Sequence, residues 1–394
     1  MHIAFFSYAR LVQAGGFEKY VIDLASALAR RGHRVSVVTT GVRGYRLLNV
    51  GMNALYRQPL GYDNSRVSSA QLRTALAPAT LHEASGRLQR LFLRDADVIY
   101  AKNELVDLAA LWSRRSSLPP IVCGVHTPPR YPGAKGLYPR LHNALYLGSV
   151  YRALLESVSA CHFPNPHDPA VFRHFGLAAT KPSFAIPLPV RVGSSVEKTV
   201  PPASPYLLFA GRLSEQKGVD VLLAATRILH GELACPAPVG IAGSGNPGLV
   251  RQVKDAAAAD PLIRYLGHLS ASDLSCWYGR ATAAVVPSRW ETFPYACVES
   301  LAAGVPVVCT DIPGCRDAVR NGETGLLVPA EQANALARAM RELATMPQIA
   351  PERYARFCAA GIAEAKARYS PEHIYERMEA MLQEVRRTGM SNDR

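Results

Sequence analysis

Short apolar runs alternate with amphipathic stretches from the start of the chain. Residues 2–6 form a mostly apolar run, and residues 17–31 repeat apolar side chains every three to four positions. These two periods predict a strand followed by a helix. Gly32 ends the predicted helix, and a β-branched run at 34–40 follows. The first 40 residues therefore predict the βαβ opening of a parallel sheet.

The first half of the chain continues with two further predicted strands, at 97–101 and 121–125. Before them, residues 41–95 carry eight Lys and Arg, several small side chains and no run typical of a strand. Helices and loops alone are predicted there. Gly, Ser and Pro then dominate residues 193–205, a composition typical of an exposed linker. The predicted N-terminal domain is therefore 1–195.

The alternation resumes after the linker and predicts a second domain over 206–369. Its predicted strands are 206–210, 238–242, 263–266, 283–286 and 306–309, and its helices are 219–231, 249–259 and about 294–303. Ser370, Pro371 and Glu372 form a helix start, so residues 370–394 predict a closing helix that packs back on the first domain.

This order of elements predicts an α/β fold with two Rossmann-like, doubly wound parallel-sheet domains. Ligands of such sheets bind outside the carboxyl ends of the strands. Two domains that face each other therefore create one ligand-binding cleft between them.

Composition supports two domains rather than one. The chain has 394 residues, of which 48% are hydrophobic, and this is enough for two cores. It contains no stretch of about 18 uncharged apolar residues, and no charged region precedes the apolar N-terminal run. We therefore expect neither a membrane-spanning helix nor a signal peptide. The protein is expected to be cytoplasmic. The eight cysteines form no C-x-x-C pair and are expected to be reduced, buried thiols rather than metal ligands.

The formal net charge of +13 lies entirely in the first half of the chain. Residues 1–195 hold 23 Lys and Arg against 10 Asp and Glu, whereas residues 196–394 hold 21 of each. Basic fields of this kind recruit phosphate-bearing substrates, nucleic acid or anionic membranes. No nucleic-acid-binding motif accompanies the charge, so nucleic acid is not expected as a partner.

Two candidate sites combine glycines with the start of a helix or the end of a strand. Gly15 and Gly16 precede the first helix, where they permit either close approach of an anion or a tight turn. Residues 211–218 follow the first strand of the second domain and place Arg212 and Lys217 on one Gly-bounded loop. A guanidinium and an ammonium at this spacing can hold a diphosphate, although a solvated surface loop has the same composition.

Two further candidates carry carboxylate and imidazole groups. Glu291 and Glu299 enclose seven residues that span a strand-end loop and the start of a helix. They need not form a glycosidase pair, because they point in different directions, and each carboxylate can hold a diol. His126 ends a predicted strand and precedes Thr127 and two prolines, which force the chain away from helix. It is expected to face the cleft, as a ligand-binding or a structural histidine.

Together these motifs resemble the retaining family 4 glycosyltransferases of GT-B fold. The matching segments are 211–218, 287–299, 303–308 and 321–328. The resemblance is specific over about 206–330, and Gly16 and His126 support it. It implies that the second domain binds a nucleotide-sugar donor and the first domain binds the acceptor. It implies no metal and no other cofactor.

The same resemblance implies roles for the residues around the diphosphate. Arg212 and Lys217 would bind the diphosphate itself. Gly15 and Gly16 would approach it from the first domain. His126 would donate or accept a hydrogen bond at the donor sugar or phosphate, close to the reacting carbon.

The resemblance also assigns the donor's two sugar rings. Glu299 would hold the ribose, and Glu291 the hydroxyls of the transferred sugar. Phe293 and Pro294 would line the donor site, where the family's usual Glu-Gly-Phe-Gly reads Glu-Thr-Phe-Pro. Pro294 cannot donate an N–H group, so the backbone amides that meet the donor must differ here.

Two motifs typical of other protein families also occur. Asp95 and Asp97 form a D-x-D sequence, but they precede a predicted strand instead of ending one, so no metal role is expected. Residues 243–248 fit the dinucleotide fingerprint G-x-G-x-x-G between a strand and a helix. No strand ending in an acid follows about 20 residues on, so Gly243 and Gly245 are predicted to line the nucleotide pocket rather than a nicotinamide site.

The predicted function is metal-independent, retaining transfer of a sugar from a nucleoside diphosphate sugar to a glycan or lipid-linked glycan, in cell-surface polysaccharide or glycolipid synthesis. Residues 131–158 mix apolar and basic side chains, a pattern that fits contact with an anionic membrane or an ordinary core helix. A sugar-nucleotide 2-epimerase of the same architecture is one alternative. A non-catalytic subunit that binds a sugar nucleotide is the other.

Overall fold

The computed structural model describes residues 1–7, 16–39, 69–83, 86–113, 115–131, 137–190 and 206–389. These residues form two α/β domains, each built around one parallel sheet. The predicted linker 193–205 and Gly15 lie outside the described residues.

The N-terminal domain contains a seven-stranded sheet with the order β3-β2-β1-β4-β5-β6-β7. Its strands are β1 His2–Ser7, β2 Arg34–Thr39, β3 Thr80–Glu83, β4 Val98–Lys102, β5 Ile121–Gly124, β6 Ala160–Phe163 and β7 Ser183–Ala185. Its described helices are α1 Gly16–Arg30, α2 Ser69–Leu76, α3 Gly86–Arg94, α4 Leu105–Trp112, α5 Leu137–Tyr146, α6 Ser149–Glu156 and α7 Asp168–His174.

The C-terminal domain contains a six-stranded sheet with the order β10-β9-β8-β11-β12-β13. Its strands are β8 Leu207–Ala210, β9 Val239–Ala242, β10 Ile263–Gly267, β11 Ala283–Val286, β12 Val307–Thr310 and β13 Gly325–Val328. The helices after the linker are α8 Val219–His230, α9 Pro247–Ala259, α10 Ala271–Arg280, α11 Tyr295–Ala302, α12 Pro313–Ala318, α13 Ala333–Ile349, α14 Pro351–Tyr369 and α15 Pro371–Gly389.

Both sheets share one strand order over their first six strands, and every pairing in them is parallel. The order reverses between β1 and β4 in the first sheet and between β8 and β11 in the second. Such a switch point opens a crevice at the carboxyl ends of the strands, because the following crossovers go to opposite faces. This confirms the predicted fold class of two doubly wound domains.

Alternate side chains of each central strand enter two cores. In β1, Ile3 and Phe5 pack in one apolar cluster, and Ala4 and Phe6 pack in another. Helices therefore cover both faces of the sheet, which explains why these strands read as continuous apolar runs.

The closing helix α15 lies against the N-terminal domain. Its apolar side chains share a cluster with β1 and α1, and they are Ile374, Met378, Met381, Leu382 and Val385. On the same helix, Glu379 pairs with Arg31 at 2.7 Å, and Arg377 donates a 2.8 Å hydrogen bond to the carbonyl oxygen of Ala185. The chain thus crosses back to the first domain after completing the second.

The predicted strands are confirmed, each within one residue. The prediction of helices and loops alone for 41–95 is wrong at β3, a four-residue strand at the edge of the sheet. In β3 only Leu81 is buried, and it is flanked by Thr80 and His82. One apolar side chain does not produce the run by which a strand is recognised in sequence.

Candidate active site

The switch point of the C-terminal sheet brings two loops together. The loop after β8 contains residues 211–218, and the loop after β11 contains residues 287–294. The amide of Arg289 donates to the carbonyl of Gln216 at 2.8 Å, and the Gln216 side chain donates to the carbonyl of Trp290 at 3.0 Å. These bonds fix the two predicted donor-binding loops side by side.

Lys217 and Glu291 form an ion pair where these loops meet. The Nζ of Lys217 donates to Oε1 of Glu291, and the two side chains are 24% and 4% exposed. Ser288 donates its hydroxyl to the same carboxylate oxygen at 2.7 Å. Across the described part of the chain, no donor reaches Oε2 of Glu291. The carboxylate is therefore buried and charge-compensated, with one oxygen left for a ligand hydroxyl.

Gly218 permits the close approach of the two loops. Its φ of 63° lies in the left-handed region, and a Cβ there would be 2.0 Å from the carbonyl oxygen of Pro287. Residues 215–217 form one 3-10 turn, and α8 begins after Gly218. The glycine thus sets the position of Lys217 opposite Glu291.

Arg289 braces the same loops and was not identified from the sequence. Its guanidinium binds both carboxylate oxygens of Asp220, at 2.9 and 2.7 Å, and the carbonyl oxygen of Glu215 at 2.6 Å. It also pairs with Glu331 at 2.8 Å. The hydrogen bond from Arg289 lowers the pKa of Asp220. Arg212, predicted to share the diphosphate, is an exposed side chain just after β8.

The loop that carries the dinucleotide fingerprint packs on residues 211–213. A Cβ at Gly243, whose φ is 140°, would lie 1.8 Å from the carbonyl oxygen of Gly211. Asn246 caps α9, because its Oδ1 accepts from the amides of Gly248 and Leu249. In a dinucleotide site the pyrophosphate binds the free amides of the helix N-terminus, and here the Asn246 side chain binds those amides. Gly243 and Gly245 permit this close packing of the two loops, and their place beside the nucleotide stays a prediction. The capped helix start disfavours a nicotinamide site.

Helix α11 carries the second predicted carboxylate. It begins at Tyr295, with the buried Pro294 as its N-cap and Glu299 more than one turn inside. The amide of Ala296, in the first turn, has no hydrogen-bond partner among the described residues. This amide points from a helix N-terminus and can bind an anion, whereas Pro294 has no N–H to offer.

His126 belongs to a buried chain of hydrogen bonds in the N-terminal domain. Its Nε2 lies 3.1 Å from the Tyr100 hydroxyl, which lies 2.8 Å from Nδ1 of His162. The Nε2 of His162 lies 2.7 Å from the carbonyl oxygen of Ile186. Burial lowers the pKa of His126 well below its usual value and that of His162 to about 4, so both rings are neutral.

The carbonyl of Ile186 fixes the direction of this chain. It only accepts, so the proton of His162 is on Nε2 and its Nδ1 accepts from Tyr100. The Tyr100 hydroxyl has one proton, so with that proton on His162 its oxygen accepts from Nε2–H of His126, and the same hydroxyl also shares a hydrogen bond with Tyr20. The Nδ1 of His126 is therefore the unprotonated nitrogen of the ring, a hydrogen-bond acceptor.

Asn103 holds the loop on which His126 lies and was also missed from the sequence. This fully buried amide accepts from the backbone N–H groups of His126 and Thr127, at 3.0 and 3.2 Å. It also donates to the carbonyl of Thr127 at 2.9 Å. Asn103 directly follows β4, so the switch point of the first sheet positions the histidine.

Lys102 and Glu104 flank Asn103 and face the same loop. Their side chains pair at 3.0 Å, and Glu104 also accepts from the hydroxyls of Thr127 and Tyr146, at 3.2 and 2.8 Å. Burial opposes ionisation, but Lys102 and these hydroxyls together lower the pKa of Glu104. The N-terminal face of the cleft thus presents a compensated ion pair beside His126.

The D-x-D sequence lies at the opposite edge of the first sheet. Asp97 accepts a 2.7 Å hydrogen bond from the amide of His2, and Asp95 pairs with Arg34 at 2.9 Å. Both precede β4, at the amino ends of the strands. They therefore serve the fold rather than the cleft.

Three cysteines, on α11, β12 and α12, lie close together. The Sγ atoms of Cys297, Cys309 and Cys315 lie within 4.8 Å of one another, and all three residues are fully buried free thiols. Burial raises the pKa of Cys309 well above its usual value. The apolar cluster around the thiols includes Leu301 and Val307, which suits protonated, uncharged side chains.

The described part of residues 131–158 forms two helices, α5 and α6. Tyr146, Tyr151, Leu154 and Leu155 are buried in the first domain's core, whereas Leu145, Val150, Arg140 and Arg152 are exposed. Lys135 lies outside the described residues. Among the described helices, none combines the length and the hydropathy that crossing a bilayer requires.

Comparison with known proteins adds independent findings. Residues 14–192 match the family model described as glycosyltransferase family 4, and residues 204–346 match the one described as glycosyl transferases group 1. D-inositol 3-phosphate glycosyltransferase from Arthrobacter sp. is 27% identical over 81% of this chain and 79% of its own length.

Solved structures share the two-domain fold. Sucrose-phosphate synthase from Thermosynechococcus elongatus has a TM-score of 0.73 and 20% identity, with 98% of each chain covered. HepE from Anabaena, solved in complex with UDP-glucose, has a TM-score of 0.71 and 17% identity over 98% of this chain and 100% of its own.

Proposed function

Since the chain belongs to the family 4, group 1 glycosyltransferases of GT-B fold, we propose that it transfers a sugar from a nucleoside diphosphate sugar to a hydroxyl group with retention of configuration. We propose further that the positive charge needed at the diphosphate comes from the chain's own side chains and not from a metal ion.

The observation that carries the proposal is the Lys217–Glu291 pair at the carboxyl ends of β8 and β11. The ammonium of Lys217 is partly exposed and can turn from the carboxylate toward a diphosphate. Oε2 of Glu291 can accept a hydroxyl of the transferred sugar. The ion pair thus offers Lys217 to the phosphate side of the bond that breaks and Glu291 to the sugar side. HepE is solved with UDP-glucose, which makes a UDP-sugar the first donor to test.

Charge development during the reaction explains the remaining residues. Cleavage of the sugar–phosphate bond leaves positive charge on the ring and negative charge on the departing diphosphate. Lys217, Arg212 and the Ala296 amide stabilise that negative charge. His126, on the opposite domain, accepts a hydrogen bond at Nδ1 from a hydroxyl of the donor sugar. For retention, the acceptor attacks from the face the diphosphate leaves and gives its proton to the departing phosphate oxygen.

We propose that the acceptor is a glycan or lipid-linked glycan and that the basic N-terminal domain binds it. We place this reaction in the cytoplasm, at the inner face of the membrane. The support is the excess of 23 basic over 10 acidic residues in 1–195 and the exposed Leu145 and Val150 between Arg140 and Arg152. Sedimentation with anionic vesicles at low and high salt tests the membrane contact. The curated relative named for D-inositol 3-phosphate makes that compound the competing acceptor to test.

Calorimetric titration with nucleoside diphosphates and their sugar conjugates tests the donor. We expect one nucleoside diphosphate sugar to bind more tightly than its diphosphate. That donor is then incubated with lipid-linked glycans and with D-inositol 3-phosphate, and the anomeric configuration of the product is read by NMR. Inversion of the donor sugar at C2 in the absence of an acceptor would instead indicate the 2-epimerase. Binding without turnover across the acceptor panel would favour a non-catalytic subunit.

A further inference from the structure

The segment after β11 contacts both domains. Trp290 lies against Tyr131 of the N-terminal domain, with ring centroids 5.3 Å apart. The carbonyl of Thr292 accepts a 2.8 Å hydrogen bond from Asn165, which follows β6. The next two aromatic side chains, Phe293 and Tyr295, pack against apolar clusters of both domains. Glu291 therefore lies in the middle of an interdomain segment, although its ion-pair partner belongs to the C-terminal domain.

Asn165 has every hydrogen-bonding group of its amide engaged. The residue is 2% exposed, and its Oδ1 accepts from the backbone amides of His167 and Asp168, both at 2.9 Å. Its Nδ2 donates to Oδ2 of Asp168 and to the carbonyl of Thr292, both at 2.8 Å. A flipped amide would face two N–H groups with its own donors, so only this orientation satisfies the site.

We propose that Asn165 is a positioning residue that couples closure of the two domains to the placement of Glu291. This inference rests on the proposed role of Glu291 at the transferred sugar. Lys217 and Ser288 hold the carboxylate from the C-terminal side, and Asn165 holds the adjacent peptide from the N-terminal side. When the domains separate, the bond to Thr292 breaks, and the segment that carries the sugar-binding carboxylate loses this hydrogen bond from the N-terminal domain.

The inference separates two parts of the donor. The groups proposed to neutralise the diphosphate, Lys217, Arg212 and the Ala296 amide, belong to the C-terminal domain and do not depend on Asn165. Gly15 and Gly16 of the first domain add no charge there. The sugar side depends on Glu291 and on His126 from the opposite domain. Loss of the Asn165 bond should therefore weaken the contribution of the sugar to affinity and leave the nucleoside diphosphate unaffected.

Two variants distinguish this role from a purely local one. Asn165→Asp keeps the oxygen that accepts from His167 and Asp168 but removes the donor to Thr292. Asn165→Ser keeps a short acceptor without adding charge and cannot span to Thr292. Both variants also lose the donor to Oδ2 of Asp168, and Asn165→Asp places a second carboxylate beside it, so each is expected to lower the stability of the turn. If Asn165 only closes the turn into α7, the radius of gyration and the ratio of UDP affinity to UDP-glucose affinity should match those of the wild type. Asn321→Ser is the matched control, since Asn321 accepts from Leu327 within one domain.

The experiment measures small-angle scattering without ligand and the affinities for UDP and UDP-glucose. We expect both Asn165 variants to show a larger radius of gyration than wild type, unchanged UDP affinity within twofold, and at least tenfold weaker UDP-glucose binding. Wild-type scattering and wild-type affinities in both variants would overturn the inference. If the wild type binds neither compound, the proposed donor fails, and the scattering alone then decides whether Asn165 holds the domains together.

Discussion

Lys217 and Glu291 lie 74 residues apart in sequence yet share a hydrogen bond at the switch point of the C-terminal sheet. The carboxylate is almost completely buried, so each charge depends on the other for compensation. The sequence motifs imply separate ligands for these two residues: the diphosphate for Lys217 and the transferred sugar for Glu291. The structure shows that they are partners before any ligand arrives, and a donor must therefore reorganise this pair.

Replacement of Lys217 should reduce catalysis strongly. Lys217→Ala removes a cation from the departing diphosphate, and loss of one such donor typically costs about 3 kcal/mol, or roughly 10²-fold in rate. We expect a loss of that size in kcat/KM, and a similar loss for Arg212→Ala. Steady-state kinetics with the identified donor provide the measurement. Near-normal rates in either variant would disprove that residue's assignment, and Lys254→Ala on the exposed side of α9 serves as a charge-matched control.

Neutralisation of Glu291 should act on the sugar and not on the nucleotide. Glu291→Gln keeps the shape of the side chain but weakens its acceptance of sugar hydroxyls and releases Lys217. We expect the gain in affinity from nucleoside diphosphate to nucleotide sugar to fall at least tenfold. Calorimetry with both ligands measures this gain. Equal losses for both ligands would mean that Glu291 does not face the sugar.

Removal of the Tyr100 hydroxyl should change the state of His126. In Tyr100→Phe the Nε2–H of His126 loses its acceptor, and Nδ1 of His162 loses its donor. We expect a mixture of His126 tautomers in place of one, with a several-fold loss in kcat. Imidazole ¹⁵N chemical shifts report the tautomer directly. An unchanged spectrum would contradict the derived direction of the hydrogen-bond chain.

Asp168 should make stability fall as pH rises. Burial raises the pKa of Asp168 from 3.8 to about 6, so the folded protein holds this proton more tightly than the unfolded chain does. The protonated carboxyl is favoured fully below pH 3.8, and the advantage is lost as pH rises through about 6. Asp168→Asn should therefore be more stable than wild type by about 2 to 3 kcal/mol at pH 7.5, with the difference shrinking toward pH 4.

Urea unfolding of wild type and Asp168→Asn at several pH values checks this prediction. Only the difference between the two proteins is interpreted, because other groups titrate in both. A difference that stays constant between pH 4 and 7.5 would show that Asp168 ionises normally.

The sequence predicts the fold well because the information is local. Apolar runs and helical periods identify strands such as β8 and β11, and parallel strands place the loops that follow them along one edge. The family motifs then identify Lys217 and Glu291. Strand β6 was not predicted, because His162 interrupts its short apolar run and makes its hydrogen bonds inside the sheet's core.

The contacts that position the site were not predictable in the same way. Asn103, Asn165 and Arg289 each act through backbone groups of residues distant in sequence. A backbone carbonyl leaves no trace in the identity of its residue, so no pattern reveals such a partner. Asparagine after a strand is also common in ordinary turns. Only the packing of two loops or two domains shows what these side chains hold.

A crystal structure with the bound nucleotide sugar tests the central claim most directly. The account predicts a diphosphate at the carboxyl ends of β8 and β11, with Lys217 Nζ within hydrogen-bond distance of a phosphate oxygen and Oε2 of Glu291 on a hydroxyl of the transferred sugar. A donor bound elsewhere, or a Lys217 side chain that remains on Glu291 with no phosphate in reach, would contradict it.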